Sequence, residues 1–430
     1  MALSAKAGHF IVNASDTVGT TINVTAGFQP KAIVLWGMGR SEAVDTIGAA
    51  SHRRAIGFGV SDTDRRSLTQ ASENGAAAAD ADSYHTNARC YIVTDSDGVE
   101  EGGLDLSAIA SWPADGFQVI VDDQFATSQR IHYLALGGTD ITNVKSGQFT
   151  APLVTGEFDV TDPGFQPDVV LFLMPAILTS APPSGRSNGS SFAFGAAVSS
   201  TQQAVLANAT DEGSATMDTG AYLVEGPECI GCQDLANPLG LSRRYAYVSS
   251  IATGFRLNQL EGTTAVYLHY LALKGIQARV GSVLTQTDTT TDIVASGFGF
   301  SPEAVLFFSA CRAESTVDVG TAHDEWSIGA ATSATERLAQ GLIDENGTAN
   351  AEITTALEFD EVYINIADAG DTLDGLMDYK SKDADGFTCI MDDADPSASM
   401  VAYVAFGPTA AAPSTVLQDV IGLGVVPFPR

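Results

Sequence analysis

One ten-residue pattern constrains this chain more than any other feature, because it is written three times. Gly27-Phe28-Gln29-Pro30-Lys31-Ala32-Ile33-Val34-Leu35-Trp36 returns as Gly164-Phe165-Gln166-Pro167-Asp168-Val169-Val170-Leu171-Phe172, and again as Gly299-Phe300-Ser301-Pro302-Glu303-Ala304-Val305-Leu306-Phe307. The copies lie 137 and then 135 residues apart. A fixed period of this kind marks a module and is settled before any local reading. Each copy sets Gly and Pro, the strongest breakers of regular structure, before an apolar run rich in β-branched and aromatic residues. That is a turn feeding a buried strand.

Other strand signals recur in step with it. Gly8–Val12 and Thr20–Thr25 open the first copy, the latter alternating apolar and polar residues as a half-buried strand does. Arg54–Ser61, Ser191–Ser199 and Glu325–Ser333 share a glycine (Gly57, Gly195, Gly329) inside the strand pattern, a sign of a bulge or a close backbone approach. Each copy closes with an Asp-Gly-Phe or Thr-Gly-Phe turn (Asp115, Thr253, Asp385) and a last strand: Ile131–Gly138, Leu268–Gly275 or Val401–Gly407. Alternation there sets His132, Leu134 and Leu136 on one face and Tyr133, Ala135 and Gly137 on the other. Helical periodicity is scarce. The expected fold is all-β: three tandem homologous β-sandwich (jelly-roll-like) modules over residues 1–139, 140–276 and 277–409, with a short C-terminal extension, 410–430. With 45% hydrophobic residues, each third can bury a core of its own. The short connections predict close packing. The stretches 62–107, 200–245 and 334–373 differ most between copies and carry short strands such as Ala88–Val93; they are either binding loops or drifting solvent-exposed connections. The apolar tail, 410–430, is expected to cover an edge of its own chain or to reach a neighbouring subunit as an arm.

Charge excludes some partners. The net charge is −31, from 52 acidic and 21 basic residues, so no nucleic acid and no anionic membrane surface is expected as a partner, both needing clustered cations. Only 6 of the 21 cations are Lys. Abundant carboxylates with few lysines suit a saline setting, where salt screens self-repulsion; an ordinary acidic protein kept soluble by charge is the alternative. Met1–Gly8 lacks the apolar core of a signal peptide, and the longest apolar run, Val169–Leu178, is too short to insert in a membrane. The sequons at Asn13, Asn23, Asn188, Asn208 and Asn346 read as by-products of a Thr- and Ser-rich chain.

Motifs for chemistry are weak. Gly185-Arg186-Ser187-Asn188-Gly189 fits Gly-x-Ser-x-Gly, but a nucleophile elbow needs a strand before it and a helix after it, and neither is signalled. Gly57-Phe58-Gly59 and Gly422-Leu423-Gly424 lack the frame of a dinucleotide fingerprint, and His323-Asp324-Glu325 is no zinc helix. Of the five cysteines, Cys90, Cys311 and Cys389 stand alone. Cys229 and Cys232 have CxxC spacing without a second pair, which leaves two loop thiols or one local disulfide. His132 and His269 occupy equivalent positions where the third copy has Ala402, so a tripled ligand set is incomplete. The acidic runs Asp95–Glu101, Asp344–Gly347 and Asp392–Asp395 are either solvated turns or oxygen sites for Ca²⁺ or Na⁺, and none has EF-hand spacing. A carboxylate pair for glycoside cleavage is defined in space and not in sequence. No catalytic, cofactor-binding or metal residue is assigned.

The combination of Gly-Phe-Gln-Pro before an apolar strand, Asp115-Gly116-Phe117-Gln118-Val119, and the closing His132-Tyr133-Leu134-Ala135-Leu136-Gly137-Gly138 resembles modules of tailed-virus virion structural proteins, whether of tail, fibre or capsid surface. The resemblance spans nearly all of residues 8–408. The third copy departs most, with Gly299-Phe300-Ser301-Pro302 and no His. The resemblance implies a non-enzymatic particle protein, a capsid decoration, turret or tail component located on the virion. Its partners would be other virion proteins and copies of itself; the acidic composition suggests a halophilic host. The alternatives are a receptor- or glycan-binding fibre protein using the variable stretches, and a surface-glycan hydrolase.

Overall fold

The computed structural model describes residues 2–40, 46–49, 51–175, 181–186, 189–213, 215–234, 237–262, 264–312, 323–367 and 372–409. The fold is all-β. Among the described residues the one helical element is a single 3₁₀ turn, Ile109–Ser111. The recurring glycines do what their spacing predicts: Gly27, Gly164 and Gly299 have φ of 82°, 76° and 78°, a region that suits glycine. Each turn delivers the chain into a strand, Pro30–Gly37, Val169–Pro175 or Ala304–Ser309.

The strands form three pairs of antiparallel sheets with the same internal order. In the first third, an inner sheet runs Leu3–Val12, Gln129–Gly138, Pro30–Gly37, His52–Gly59, Arg65–Ser72, Ala81–Thr86; a four-stranded outer sheet runs Thr21–Thr25, Gly116–Asp123, Glu100–Leu106, Tyr91–Thr94. The second third repeats this with Asn143–Thr150, Tyr267–Lys274, Val169–Pro175, Ser190–Ser199, Gln202–Thr210, Thr219–Glu225 inside, and Gly156–Val160, Gly254–Glu261, Asn237–Ile251, Ile230–Asp234 outside. The last third has Gln277–Leu284, Met400–Gly407, Ala304–Ser309, Asp324–Ser333, Glu336–Asp344, Ile353–Glu358 inside, and Ile293–Ser296, Gly386–Asp393, Leu373–Asp383, Tyr363–Ile366 outside.

Burial explains why the inner strands read as unbroken apolar runs. Along Pro30–Gly37, Ile33 and Leu35 enter a core shared with the outer sheet of the same third, while Ala32, Val34 and Trp36 face the other way. A strand covered on both faces has no polar side to alternate. Each third has a core of this kind between its own sheets. The opposite faces of all three inner sheets meet in one further core, holding Trp36, Ile56 and Phe58 with Phe192, Phe194 and Leu206, and with Phe308, Trp326 and Ile328.

The glycine shared by the fourth inner strands marks a close approach. A Cβ on Gly57, Gly195 or Gly329 would lie 1.8, 1.9 or 2.2 Å from the carbonyl oxygen of Cys90, Cys229 or Val362 on the outer layer. The stretches that differ most between copies prove to contain strands, such as Arg65–Ser72, Ala81–Thr86 and Glu100–Leu106. The tail, 410–430, lies outside the described residues.

Candidate functional site: the three-way joint

Where the three inner sheets converge, strand register places corresponding residues side by side. His52, Ser190 and Asp324 pair across their hairpins with Ser72, Thr210 and Asp344. Two residues along each strand stand Arg54, Phe192 and Trp326, and two further Ile56, Phe194 and Ile328. The Arg54 guanidinium carbon sits 5.3 Å from the centre of the Phe192 ring, which meets Trp326 edge-on.

The charges in this layer come from different thirds. Arg54 binds Asp324 through both carboxylate oxygens, Nη1 to Oδ1 at 2.9 Å, and neither side chain is exposed. Arg54 Nε also donates to Gln70 Oε1 at 2.8 Å, and Gln70 Nε2 donates to Ser190 Oγ. Thr210 Oγ1 lies 3.4 Å from Asp324 Oδ2 and 3.3 Å from Asp344 Oδ2. Two buried carboxylates thus flank Thr210, and Arg54 binds only Asp324 of the two. Burial, then the Asp324 carboxylate, pushes Asp344 up to about 8, with Arg54 only partly opposing. Burial raises Asp324 as well, with Arg54 opposing it; Asp344 keeps its proton at neutral pH. A buried pair of this kind adds little net stability, yet losing one partner costs about 3–5 kcal/mol. Its worth lies in fixing which surfaces meet.

Beyond this layer, three hairpin turns close the joint in a ring. Gly75 N–H donates to the Ala351 carbonyl at 2.8 Å, Gly213 N–H to Ala79 at 2.7 Å, and Gly347 N–H to Met217 at 2.8 Å. Side chains repeat the circuit: Asn74 Oδ1 accepts from Ile353 N–H, Glu212 Oε2 from Ala81 N–H, and Asn346 Oδ1 from Thr219 N–H, at 2.8, 2.6 and 3.2 Å. Ala79, Met217 and Ala351 pack together beneath the turns. In every case the first third reaches the last, the second reaches the first, and the last reaches the second. Short strands are exchanged in the same sense. Ser184–Arg186 adds to Ala81–Thr86, and Thr46–Ala49 adds to Ile353–Glu358. Lys6–Glu336 and Lys145–Asp64 are ion pairs at corresponding positions, 2.5 and 2.9 Å long.

The motifs singled out in the sequence fall elsewhere or inside this packing. Gly185 lies in the exchanged strand Ser184–Arg186, and a strand, Ser190–Ser199, follows where an elbow would need a helix; Ser187 and Asn188 are outside the described residues. Gly422 and Gly424 are likewise outside them. Cys229 and Cys232 are buried free thiols, not a disulfide, and Cys232 Sγ lies 3.2 Å from Ser191 Oγ. His132 and His269 face the joint and are fully buried. His132 packs edge-on against Trp36, and His269 Nε2 stands 3.0 Å from His85 Nδ1. Burial lowers both, which keeps them neutral. His323 Nδ1 accepts from Asn346 N–H.

The acidic runs are largely engaged by the protein. Glu100 pairs with Arg89 and Glu101 with Arg53; Asp95 accepts from Val99 N–H; Asp395 is buried against Thr285, Asn365 and Tyr363. Sequence reasoning gave no role to Arg54 or Asp324 and read Asp344 as part of a solvated turn or an oxygen site, whereas it is fully buried in the joint. The available signal was a charge on the inward face of an apolar strand, as Arg54 stands two residues before Ile56.

No family model matches the chain, and no curated protein resembles it.

Proposed function

We propose that this chain is a non-enzymatic structural protein on the surface of a tailed virus, a capsid decoration, turret or tail component, from a virus of a halophilic host. It works there as a trimer written in one polypeptide. The observation that carries the reading is the joint: three sheet pairs of like topology meet round one core, with hydrogen bonds and strands passed in a single rotational sense. Such an object presents three similar lobes about one axis, which matches a threefold or pseudo-threefold position on a particle. A fused trimer also differs at each lobe, so its contacts with neighbouring virion proteins need not be identical. The buried polar groups of the joint bind one another across the thirds, and among the described residues the weak chemical motifs of the sequence have no catalytic frame around them. Variable stretches spent on strands leave fewer free loops for a receptor or glycan, which favours the structural role over attachment. The tail, 410–430, would serve as the arm that ties the chain to a neighbour.

A density map of purified particles tests this. One chain at each occupied threefold or pseudo-threefold position is expected. A chain absent from the particle, or seated where no such symmetry exists, would overturn the reading. Saturable binding of the purified chain to host cells would instead favour a receptor-binding role.

A further inference from the structure

One spot between outer and inner layers recurs in each third, and each third settles its charge differently. In the first, Arg65 donates to the Ala88 carbonyl at 2.7 Å and pairs with Asp105. Beside it, Arg89 donates to Asp122 at 2.7 Å and pairs with Glu100 at 2.5 Å. In the last third Arg337 repeats Arg65: it donates to the Asp360 carbonyl and pairs with Asp378 at 2.9 Å. Register fixes the remaining correspondence. Cys90 and Val362 are the residues whose carbonyls abut Gly57 and Gly329, and their N–H groups bond Leu104 and Met377. Those two residues in turn pair with Val121 and Met391. Arg89 is therefore the counterpart of Glu361, and Asp122 of Asp392. In the second third the same position is Glu228, paired with the Arg244 guanidinium at 2.8 Å.

Two thirds thus hold a guanidinium at this spot, and the last holds a carboxylate among carboxylates. Glu361 is only 3% exposed, and its Oε2 is buried with no hydrogen-bond partner. Asp378 faces it, and the charges of Asp360 and Asp392 act on it from the exposed rim. Arg337 is already engaged by the carbonyls of Ala334, Asp360 and Tyr379 and by Asp378. Two acceptors stand face to face only with a proton or a cation between them, and burial with Asp378 raises Glu361 in keeping with that.

We propose that this spot is a cation site, where a hard, oxygen-seeking ion of the Ca²⁺ type takes the place that a guanidinium fills in the other two thirds. Glu361 and Asp378 are the inner ligands. Among the described residues no three ligands are yet gathered at coordinating distance; the ion draws in the rim carboxylates of Asp360 and Asp392. Arg337 already offsets Asp378; a shared proton would cancel one of the three charges left, whereas a divalent ion cancels two and satisfies several oxygens at once.

The test uses the full chain, stripped with a chelator and held at pH 8, with CaCl₂ as the probe. Calorimetry should find a site lost in Glu361→Gln, and saturating Ca²⁺ should raise the melting temperature of the unsubstituted chain by about 3 °C more than that of Glu361→Gln. Glu361→Arg, which copies Arg89, should melt high without Ca²⁺ and gain nothing from it. Equal Ca²⁺ responses in the unsubstituted chain and Glu361→Gln, or no response in either, would overturn the proposal. The latter result would assign the spot to a shared proton.

Discussion

Single residues decide whether the joint closes. Asp344 ties the joint to pH. Its folded value of about 8 stands well above the usual carboxylate range, so the folded state holds a proton that the unfolded state has released. The stability tied to that proton is complete below about pH 4, drains away as pH rises, and is gone above about pH 8. Asp82, pushed up to about 7 by burial and then by Glu212 and nearby aspartates, acts in the same direction. Asp344→Asn, a neutral shape mimic, should raise stability by about 5 kcal/mol at pH 8.5 and by close to nothing at pH 4. Urea unfolding at the two pH values reads this directly; an equal effect at both would remove the charge argument. Gly57→Ala is a steric counterpart. Its Cβ would fall 1.8 Å from the Cys90 carbonyl, and a loss of about 3 kcal/mol is expected, since backbone on both sides has little room to yield. Unchanged stability would mean that the two layers are not in contact there.

At the scale of elements, the exchanged strands protect sheet edges. Thr46–Ala49 pairs with Ile353–Glu358, and Arg40 supports it by donating to the Gly48 carbonyl at 2.9 Å. Replacing residues 46–49 with a Gly/Ser linker should leave Ile353–Glu358 as an open edge, a known route to aggregation. Amide exchange in that strand should quicken by tenfold or more, corresponding to about 1.4 kcal/mol of lost protection. Unaltered exchange would show that the added strand does not guard the edge. This is also the scale at which the sequence was most legible. The Gly-Phe-x-Pro turns, the Asp-Gly hairpins and the recurring glycine are local signals, each written within a few residues. Exchange of strands was not legible, because nothing near Thr46 or Ser184 names a partner strand in another third. The same holds for the joint: Arg54 and Asp324 are 270 residues apart, and only register brings them together. Variable stretches misled as well. Only short strands were expected within them, whereas Arg65–Ser72, Ala81–Thr86 and Glu100–Leu106 take up much of the first stretch.

At the scale of the whole molecule, two properties matter: closure and charge. A net charge of −31 over 430 residues repels itself. Screening shortens from about 10 Å at 0.1 M salt to about 3 Å at 1 M. The melting temperature should therefore climb between those concentrations of NaCl, and a flat or falling trend would count against a saline setting. Closure is the claim on which the proposed role depends, since a chain whose thirds were merely strung together would have no axis to offer a particle. It is tested most directly by a cysteine pair across the exchanged strand, Gly48→Cys with Thr355→Cys, which face each other in register. The native cysteines are buried and outside any disulfide, so they should not compete. Oxidation is expected to give a bond within one chain, leaving a monomer of 44.6 kDa on a non-reducing gel and by light scattering. A bond that forms only between chains, or fails to form in the folded protein, would contradict the closed three-way joint.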